Sequence, residues 1–315
     1  KIAHIYVTTP ESLAIVLTTI KFVESLRALE FIIVDEIHAL ANKRGVYLSL
    51  TLERLTHFSA IDPVRIGLSA TISPLEEIAK FLVGKERDCI IAAVKLNKKI
   101  EIGLDFPGEN ILEAENQENQ KKLYGLLDEL IEKNRTTLIF TNTRAATERI
   151  IHYLDLHFPG KYTGIIGAHH SSMSKETRFD IEDRLRKGEL KVVVSSTSLE
   201  LGIDIGSIDL VVMLRSPKSV SRALQRIGRA GHKLHENPRG EFIVLDRDDL
   251  VECSVLMKNM VEGKIDRVEI PKNCLDVLAQ QIFGMAISKI WDIEELLNVI
   301  RRSYCYENLS KEAFF

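Results

Sequence analysis

Cysteine is scarce in this sequence. The four residues Cys89, Cys253, Cys274 and Cys305 include no C-x-x-C pair. Zinc sites and disulfide frameworks need close, paired spacing, so neither organises the fold, and the thiols are expected to be reduced, as in cytosolic proteins. Long apolar runs are also missing: none approaches the roughly 18 residues that span a bilayer. No charged-then-apolar leader opens the chain. It starts Lys1-Ile2-Ala3-His4, without Met, and Lys1 is not expected to be the natural first residue. Neither charge dominates, since 42 Lys and Arg against 45 Asp and Glu leave a net charge of −3. A uniformly basic nucleic-acid coat is thereby excluded, although a basic stripe is not, because net charge averages over faces. With 45% hydrophobic and 28% charged residues, disordered and collagen-like chains are excluded as well. The 315 residues fit roughly two domains.

What the sequence does contain is alternation. Residues 31–34 run into Asp35-Glu36, 64–68 into Ser69-Ala70-Thr71, and 137–140 into Thr141-Asn142-Thr143-Arg144. Residues 191–194 run into Ser195-Ser196-Thr197, and 209–214 into Arg215-Ser216-Pro217. Each short apolar run reads as a buried strand. Amphipathic stretches of helical length lie among them, over 120–134, 143–157 and 175–187. Such alternation predicts an α/β fold of parallel sheets with helices on both faces. Ligands in these sheets sit at the carboxyl ends of the strands, where the polar clusters fall. A polar stretch over 108–120 reads as a solvated loop after an edge strand at 99–105. From Pro271 onward, Leu275, Leu278, Ile282 and Met285, then Ile293, Leu296, Leu297 and Ile300, recur at helical spacing. The expected divisions are 1–94 and 95–262 for two α/β domains, with a junction near 89–98, and 263–315 for the beginning of a helical one.

Chemistry-bearing residues gather at these strand ends. Asp35 and Glu36 suit a nucleotide site in which the first carboxylate holds Mg²⁺ and the second polarises an attacking water; a solvated loop would account for them equally. Ser69 and Thr71 read first as helix caps. The segment Gln225-Arg226-Ile227-Gly228-Arg229-Ala230-Gly231-His232 is more specific. Helical spacing puts Gln225, Arg229 and His232 on one stripe. Arg215, Lys218, Arg222, Arg226, Arg229 and Lys233 surround it, with no acidic residue between Asp209 and Glu236, which predicts a basic stripe that the net charge conceals. An arginine there can neutralise charge on a transferring phosphoryl group, and interleaved glycines let backbone approach a ligand. The hydroxyl-rich loop 195–204 suits phosphate contacts. Thr8-Thr9-Pro10-Glu11 reads as a helix start, which is also a phosphate site. An extended chain points His169 and His170 opposite ways, which speaks against a shared metal.

Taken in order, DEIH, SAT, TNTR, HHSS, STSLELGIDIG and QRIGRAGH resemble motifs II to VI of superfamily-two helicases. The set is most similar to the large helicase-related (Lhr) family of archaeal and bacterial ATP-dependent helicases, as are TTPESLAIVLT and the tail LDVLAQQI…WDIEELLNVIRRSYCYENLS. The resemblance implies tandem RecA-like domains, the first incomplete, with ATP between them, followed by the start of a helical winged-helix domain. It also implies 3′-to-5′ translocation on single-stranded DNA and unwinding of DNA or RNA–DNA duplexes, in repair or recombination. Carried onto this sequence, Asp35 acts on Mg²⁺ and Glu36 is the water-activating base. His38, Ser69 and Thr71 couple the nucleotide to nucleic acid. Gln225 and Arg229 face the γ-phosphate, with Arg226 a further candidate, while Gly202 and Asp204 line the nucleotide side. Thr9, Pro10, Arg144, Ser171 and Thr197 lie along the nucleic-acid track. The implied cofactors are ATP and Mg²⁺. The implied partners are single-stranded or forked DNA, an RNA–DNA hybrid or RNA. No membrane and no structural metal are implied, in a monomeric protein of the cytoplasm associated with the nucleoid.

Two departures qualify the resemblance. Position 232 is His, where many superfamily-two helicases carry a second arginine finger, although Lhr-like proteins often have His there. No G-x-x-x-x-G-K-[ST] phosphate loop occurs in the chain; in the family it precedes the TTPE motif. The chain is therefore expected to begin within the first RecA-like domain, to stop early in the winged helix, and to be inactive alone. Two other readings stay open: a nucleic-acid-binding regulatory remnant without ATPase activity, and an RNA-processing helicase of a neighbouring family.

Overall fold

The structure, a computed structural model, describes residues 3–70, 72–93, 99–108, 110–111, 117–200, 202, 205–231 and 237–315. Two compact units divide the chain, Lys1–Val94 with Arg267–Phe315, and Lys95–Asp266. In chain order the first unit opens with α1 (Pro10–Val16), α2 (Ile20–Ser25), β1 (Phe31–Val34), α3 (Lys43–Phe58), β2 (Val64–Gly67) and α4 (Leu75–Val83). The second unit holds β3 (Glu101–Asp105), α5 (Gln117–Lys133), β4 (Thr137–Phe140), α6 (Arg144–His157), β5 (Ile166–His169) and α7 (Lys175–Arg186). It continues with β6 (Val192–Ser195), β7 (Leu210–Leu214), α8 (Val220–Ile227), β8 (Arg239–Ile243) and α9 (Arg247–Val261). The tail adds α10 (Leu275–Ser288), α11 (Ile293–Arg302) and α12 (Lys311–Phe314).

The second unit is a six-stranded parallel sheet in the order β3-β8-β7-β4-β6-β5. Its middle strands β4, β6 and β7 are buried at every position, as continuous apolar runs in a helix-covered parallel sheet require. Two strands were not expected, β5 (Ile-Gly-Ala-His) and β8 (Arg-Gly-Glu-Phe-Ile). Each is short and interrupted by glycine or charge, so neither carries a continuous apolar signal. Helix starts follow local chemistry: Thr143, Ser174, Ser219 and Asp246 cap α6, α7, α8 and α9 by accepting from the backbone N–H three residues on.

In the first unit β1 and β2 pair in parallel, Phe31 opposite Val64 and Val34 opposite Gly67. The helix between them, α3, is buried on nearly every side from Gly45 to Thr56, because the tail helices pack against it too. One apolar core joins Leu50, Leu52 and Phe81 to Val277, Met285, Leu297 and Ile300. Polar residues on so buried a helix must be satisfied internally. Glu53, fully buried, meets Arg65 at 2.7 Å, Arg87 at 3.1 Å and Arg302 of the tail at 3.5 Å. Arg54 donates to Gln281 at 2.6 Å, and the hydroxyls of Ser49 and Ser303 meet at 2.8 Å. Lys85 N–H donates to Arg302 O at 2.9 Å. Gly84, at φ 83, lies under that carbonyl, where a Cβ would come within 2.6 Å of it. The tail, expected as the start of a third domain, thus shares the core of the first unit.

Candidate nucleotide and nucleic-acid site residues

Asp35 and Glu36 sit where β1 ends. Asp35 is exposed and Glu36 half-buried. Glu36 adopts φ 50, ψ 41, a left-handed conformation uncommon outside glycine, and its N–H donates to Asp35 Oδ1 at 2.9 Å. This turn redirects the chain into a 3-10 turn over Ile37–Leu40. Ile37 N–H then donates to Leu68 O at 3.0 Å, and Leu68 N–H to Val34 O at 2.9 Å, which ties the two strand ends together. His38 lies between them. Ala70 N–H donates to His38 Nδ1 at 3.1 Å, so a neutral imidazole carries its proton on Nε2, 3.5 Å from Glu36 Oε2. Glu36, His38 and Ala70 form one polar link from the carboxylate pair to the segment after β2. Ser69 is exposed beside it, its hydroxyl donating to Ala70 O at 2.8 Å. Thr71 lies outside the described residues.

Thr9 and Pro10 open α1, with Thr9 Oγ1 accepting from Ser12 N–H at 3.3 Å. Glu11 in the same turn takes a two-point contact from Arg44, Nε at 2.5 Å and Nη2 at 3.1 Å. The Arg44 guanidinium thereby holds the Glu11 carboxyl down to about 2.

At the carboxyl edge of the six-stranded sheet, the loops after β4, β6 and β5 lie side by side. Ser171 and Thr197 belong to the loops after β5 and β6, Arg144 opens α6 directly after the loop following β4, and all three are exposed. Arg144 donates to Ser172 Oγ. His170 Nε2 lies 2.7 Å from Glu148 Oε1. His169 is 1% exposed; its Nδ1 lies 2.6 Å from Ser198 Oγ and its Nε2 3.0 Å from Glu182 Oε1. Burial pushes the His169 imidazole below its ordinary value, against the opposing pull of Glu182.

The arginine-glycine segment follows the end of a helix. Helix α8 ends at Ile227, and the next residues make tight turns, Arg229 N–H to Arg226 O at 3.0 Å and Ala230 N–H to Ile227 O at 2.9 Å. Gly228 stays in helical conformation, its N–H donating to Leu224 O at 2.8 Å, and the left-handed φ of 72 comes only at Gly231, so Gln225 and Arg229 keep about one turn of spacing. Gln225 and Arg229 are both half-buried; His232 and Asp204 lie outside the described residues. Gly202 is exposed with φ 51.

Arg226 points inward. It is 1% exposed, donates from Nε at 3.1 Å and Nη2 at 3.0 Å to Glu200 Oε2, and stands 4.9 Å from the centre of the Phe140 ring. Burial lowers its pKa, with Glu200 opposing. A side chain so placed is not presented to a phosphate outside the unit.

The basic stripe is largely neutralised. Arg215 pairs with Asp246 at 2.8 Å and Asp249 at 3.2 Å, Lys218 with Glu252 at 2.5 Å, and Arg222 with Glu200 at 3.6 Å. Counting charges along 209–236 missed these partners because three of them sit on or next to α9. Their three-residue spacing, 246, 249 and 252, was the available signal of one acidic helix face. Among the described residues, no cluster of His, Cys, Asp and Glu could hold a metal ion, and no helix is long and apolar enough to cross a membrane.

Three family descriptions match the chain: the DEAD/DEAH box helicase over residues 1–80, the helicase conserved C-terminal domain over 119–233, and the winged helix domain of large helicase-related protein over 258–315. An ATP-dependent helicase Lhr-Core of Methanothermobacter thermautotrophicus is 58% identical over 317 residues, covering 99% of this chain and 37% of that protein. An Lhr helicase/uracil glycosylase of Escherichia coli is 34% identical over 354 residues, covering 98% of this chain and 23% of that protein. The structure of the Mycobacterium smegmatis helicase Lhr bound to ssDNA and AMP-PNP superposes with a TM-score of 0.90 at 37% identity, covering 98% of this chain and 40% of that one. The chain therefore spans well under half the length of each of these three relatives.

Proposed function

The chain belongs to the large helicase-related (Lhr) family of superfamily-two helicases, and from that premise we propose that it forms part of the motor of an ATP-dependent 3′-to-5′ nucleic-acid helicase. Its substrates are single-stranded or forked DNA and RNA–DNA hybrids, and its setting is repair or recombination in the cytoplasm, at the nucleoid, as a monomer. The observation that carries this reading is the polar link Glu36–His38–Ala70. A base that polarises water must be coupled to the movement it drives. A histidine held between that base and the next strand end is a short mechanical route for the coupling.

In this reading Asp35, an exposed carboxylate at a strand end, fits a Mg²⁺ ion carried in on ATP. The ion neutralises charge on the phosphates when bound. Glu36 orients the attacking water, its own N–H held by Asp35 Oδ1. Ser69 and Thr71 act with His38 in coupling. Gln225 and Arg229 face the γ-phosphate, and Gly202 and Asp204 line the nucleotide side. Thr9 and Pro10, with Arg144, Ser171 and Thr197, grip the sugar–phosphate backbone, contacts that position a strand without reading its bases. The Mycobacterium smegmatis relative was solved with ssDNA, which favours DNA as the strand gripped. The 315-residue chain holds no phosphate-loop motif, so alone it hydrolyses ATP at background rates.

The test uses a protein containing this chain at the length of its archaeal relatives. Glu36→Gln should abolish DNA-stimulated ATP turnover and leave nucleotide binding intact. Turnover that survives the substitution removes Glu36 from the role of base.

A further inference from the structure

The adjacent histidines His169 and His170 have no role in the reading above, yet both are more than nine-tenths buried. Each makes a directed polar contact to a different element. His169 joins the end of β5 to Ser198, in the loop after β6, and to Glu182 on α7. His170 joins the loop after β5 to Glu148 on α6. One turn earlier on α6, Arg144 donates to Ser172 in that loop as well. Ser198 closes the circuit by donating to His169 O at 2.9 Å, with Ser195 Oγ 3.3 Å away. Adjacent residues on an extended chain face opposite sides, and here that geometry sends one ring toward β6 and α7 and the other toward α6.

We propose that His169 and His170 are positioning residues that lock the three loops of this edge at fixed spacing, so that Thr197, Ser171 and Arg144 meet successive phosphates of one strand. The inference rests on the nucleic-acid role given above to those three residues. Hydroxyl contacts are short and directional, so a loop that drifts by an ångström loses them. The buried His169 imidazole can hold two elements together because both of its ring nitrogens find partners, while His170 adds a single tie through Nε2. Ser198 is the critical joint: it neighbours Thr197 in sequence and is held by both the ring and the backbone of His169. His169 touches no phosphate itself, since its two nitrogens are both engaged inside the unit.

The test is a set of binding measurements on the 315-residue chain, by anisotropy of a fluorescein-labelled oligodeoxythymidine. Thr197→Val in the otherwise native chain should weaken binding about fivefold, the effect of one lost hydrogen bond. In a His169→Ala background the same substitution should change affinity by less than about 1.5-fold, because Thr197 is then already out of position. Ser198→Ala, a smaller change, should mask the Thr197 effect in the same way and keeps the test sound if His169→Ala fails to fold. Equal fivefold losses from Thr197→Val in all backgrounds would overturn the proposal. If Thr197→Val has no effect in the native chain, the proposal falls while strand binding stands. If the native chain does not bind the oligonucleotide, the nucleic-acid reading itself falls.

Discussion

Arg226 offers the sharpest separation between structure and catalysis, because sequence places it beside Arg229 while burial sets it apart. Its guanidinium is enclosed, joined through two nitrogens to Glu200 and set over Phe140. Removing one member of a buried ion pair strands the other charge in a poorly solvating interior, at a cost of about 3–5 kcal/mol. Loss of the ring contact adds about 0.5–2 kcal/mol. For a unit of this size each kcal/mol corresponds to about 2–4 °C in melting temperature. Arg226→Ala should therefore lower the melting of the second unit by about 6–20 °C on the ion-pair term alone. Replacing both partners by apolar residues, Arg226→Met with Glu200→Met, should recover much of that loss, since no charge is left buried. The assay is thermal unfolding followed by circular dichroism, with single and double variants in parallel. An Arg226→Ala protein that melts within about 2 °C of the native chain but loses ATP turnover at full length would refute the argument and return Arg226 to the phosphate.

Two further outcomes follow from the electrostatics. Arg215 and Lys218 are committed to acidic partners, so Arg215→Gln and Lys218→Gln should leave the salt dependence of single-strand binding unchanged. Arg144→Gln should reduce its slope by about 0.7, and equal reductions at all three positions would restore the bare basic stripe. Glu241, half-buried on β8, is raised to about 7 by burial, with Asp105 adding to the effect and Arg239 opposing it. An acid whose folded pKa lies above its unfolded value binds more protons when folded, so its contribution worsens as pH rises from about 4.5 through about 7. Glu241→Gln should therefore raise the melting temperature at pH 8 and leave it unchanged near pH 4.5. A stabilisation of equal size at both pH values would count against the shifted carboxyl.

Much of this molecule was legible before any coordinates. Continuous apolar runs marked β4, β6 and β7, since a strand covered on both faces leaves no room for polar positions; β1 and β2 were marked by their apolar residues running into polar strand ends. Strand ends located the polar clusters, and motif order pointed to the family. Strands β5 and β8 escaped because Gly167 and His169, or Arg239 and Glu241, break the apolar pattern that a strand is read from.

The sequence by itself determined the fold class, the order of the strand-end clusters and the placement of Asp35 and Glu36 at a strand end, because these depend on local periodicity and on residue type. Only the tertiary structure decided which charges are free to act. It buried Arg226 against Glu200, answered Arg215 and Lys218 from α9, and set His38 between Glu36 and Ala70. It also sank the tail helices into the core of the first unit. The reason is physical: whether a charged group meets water, a partner or a ligand depends on groups distant in the chain, and a linear count of charges carries none of that information.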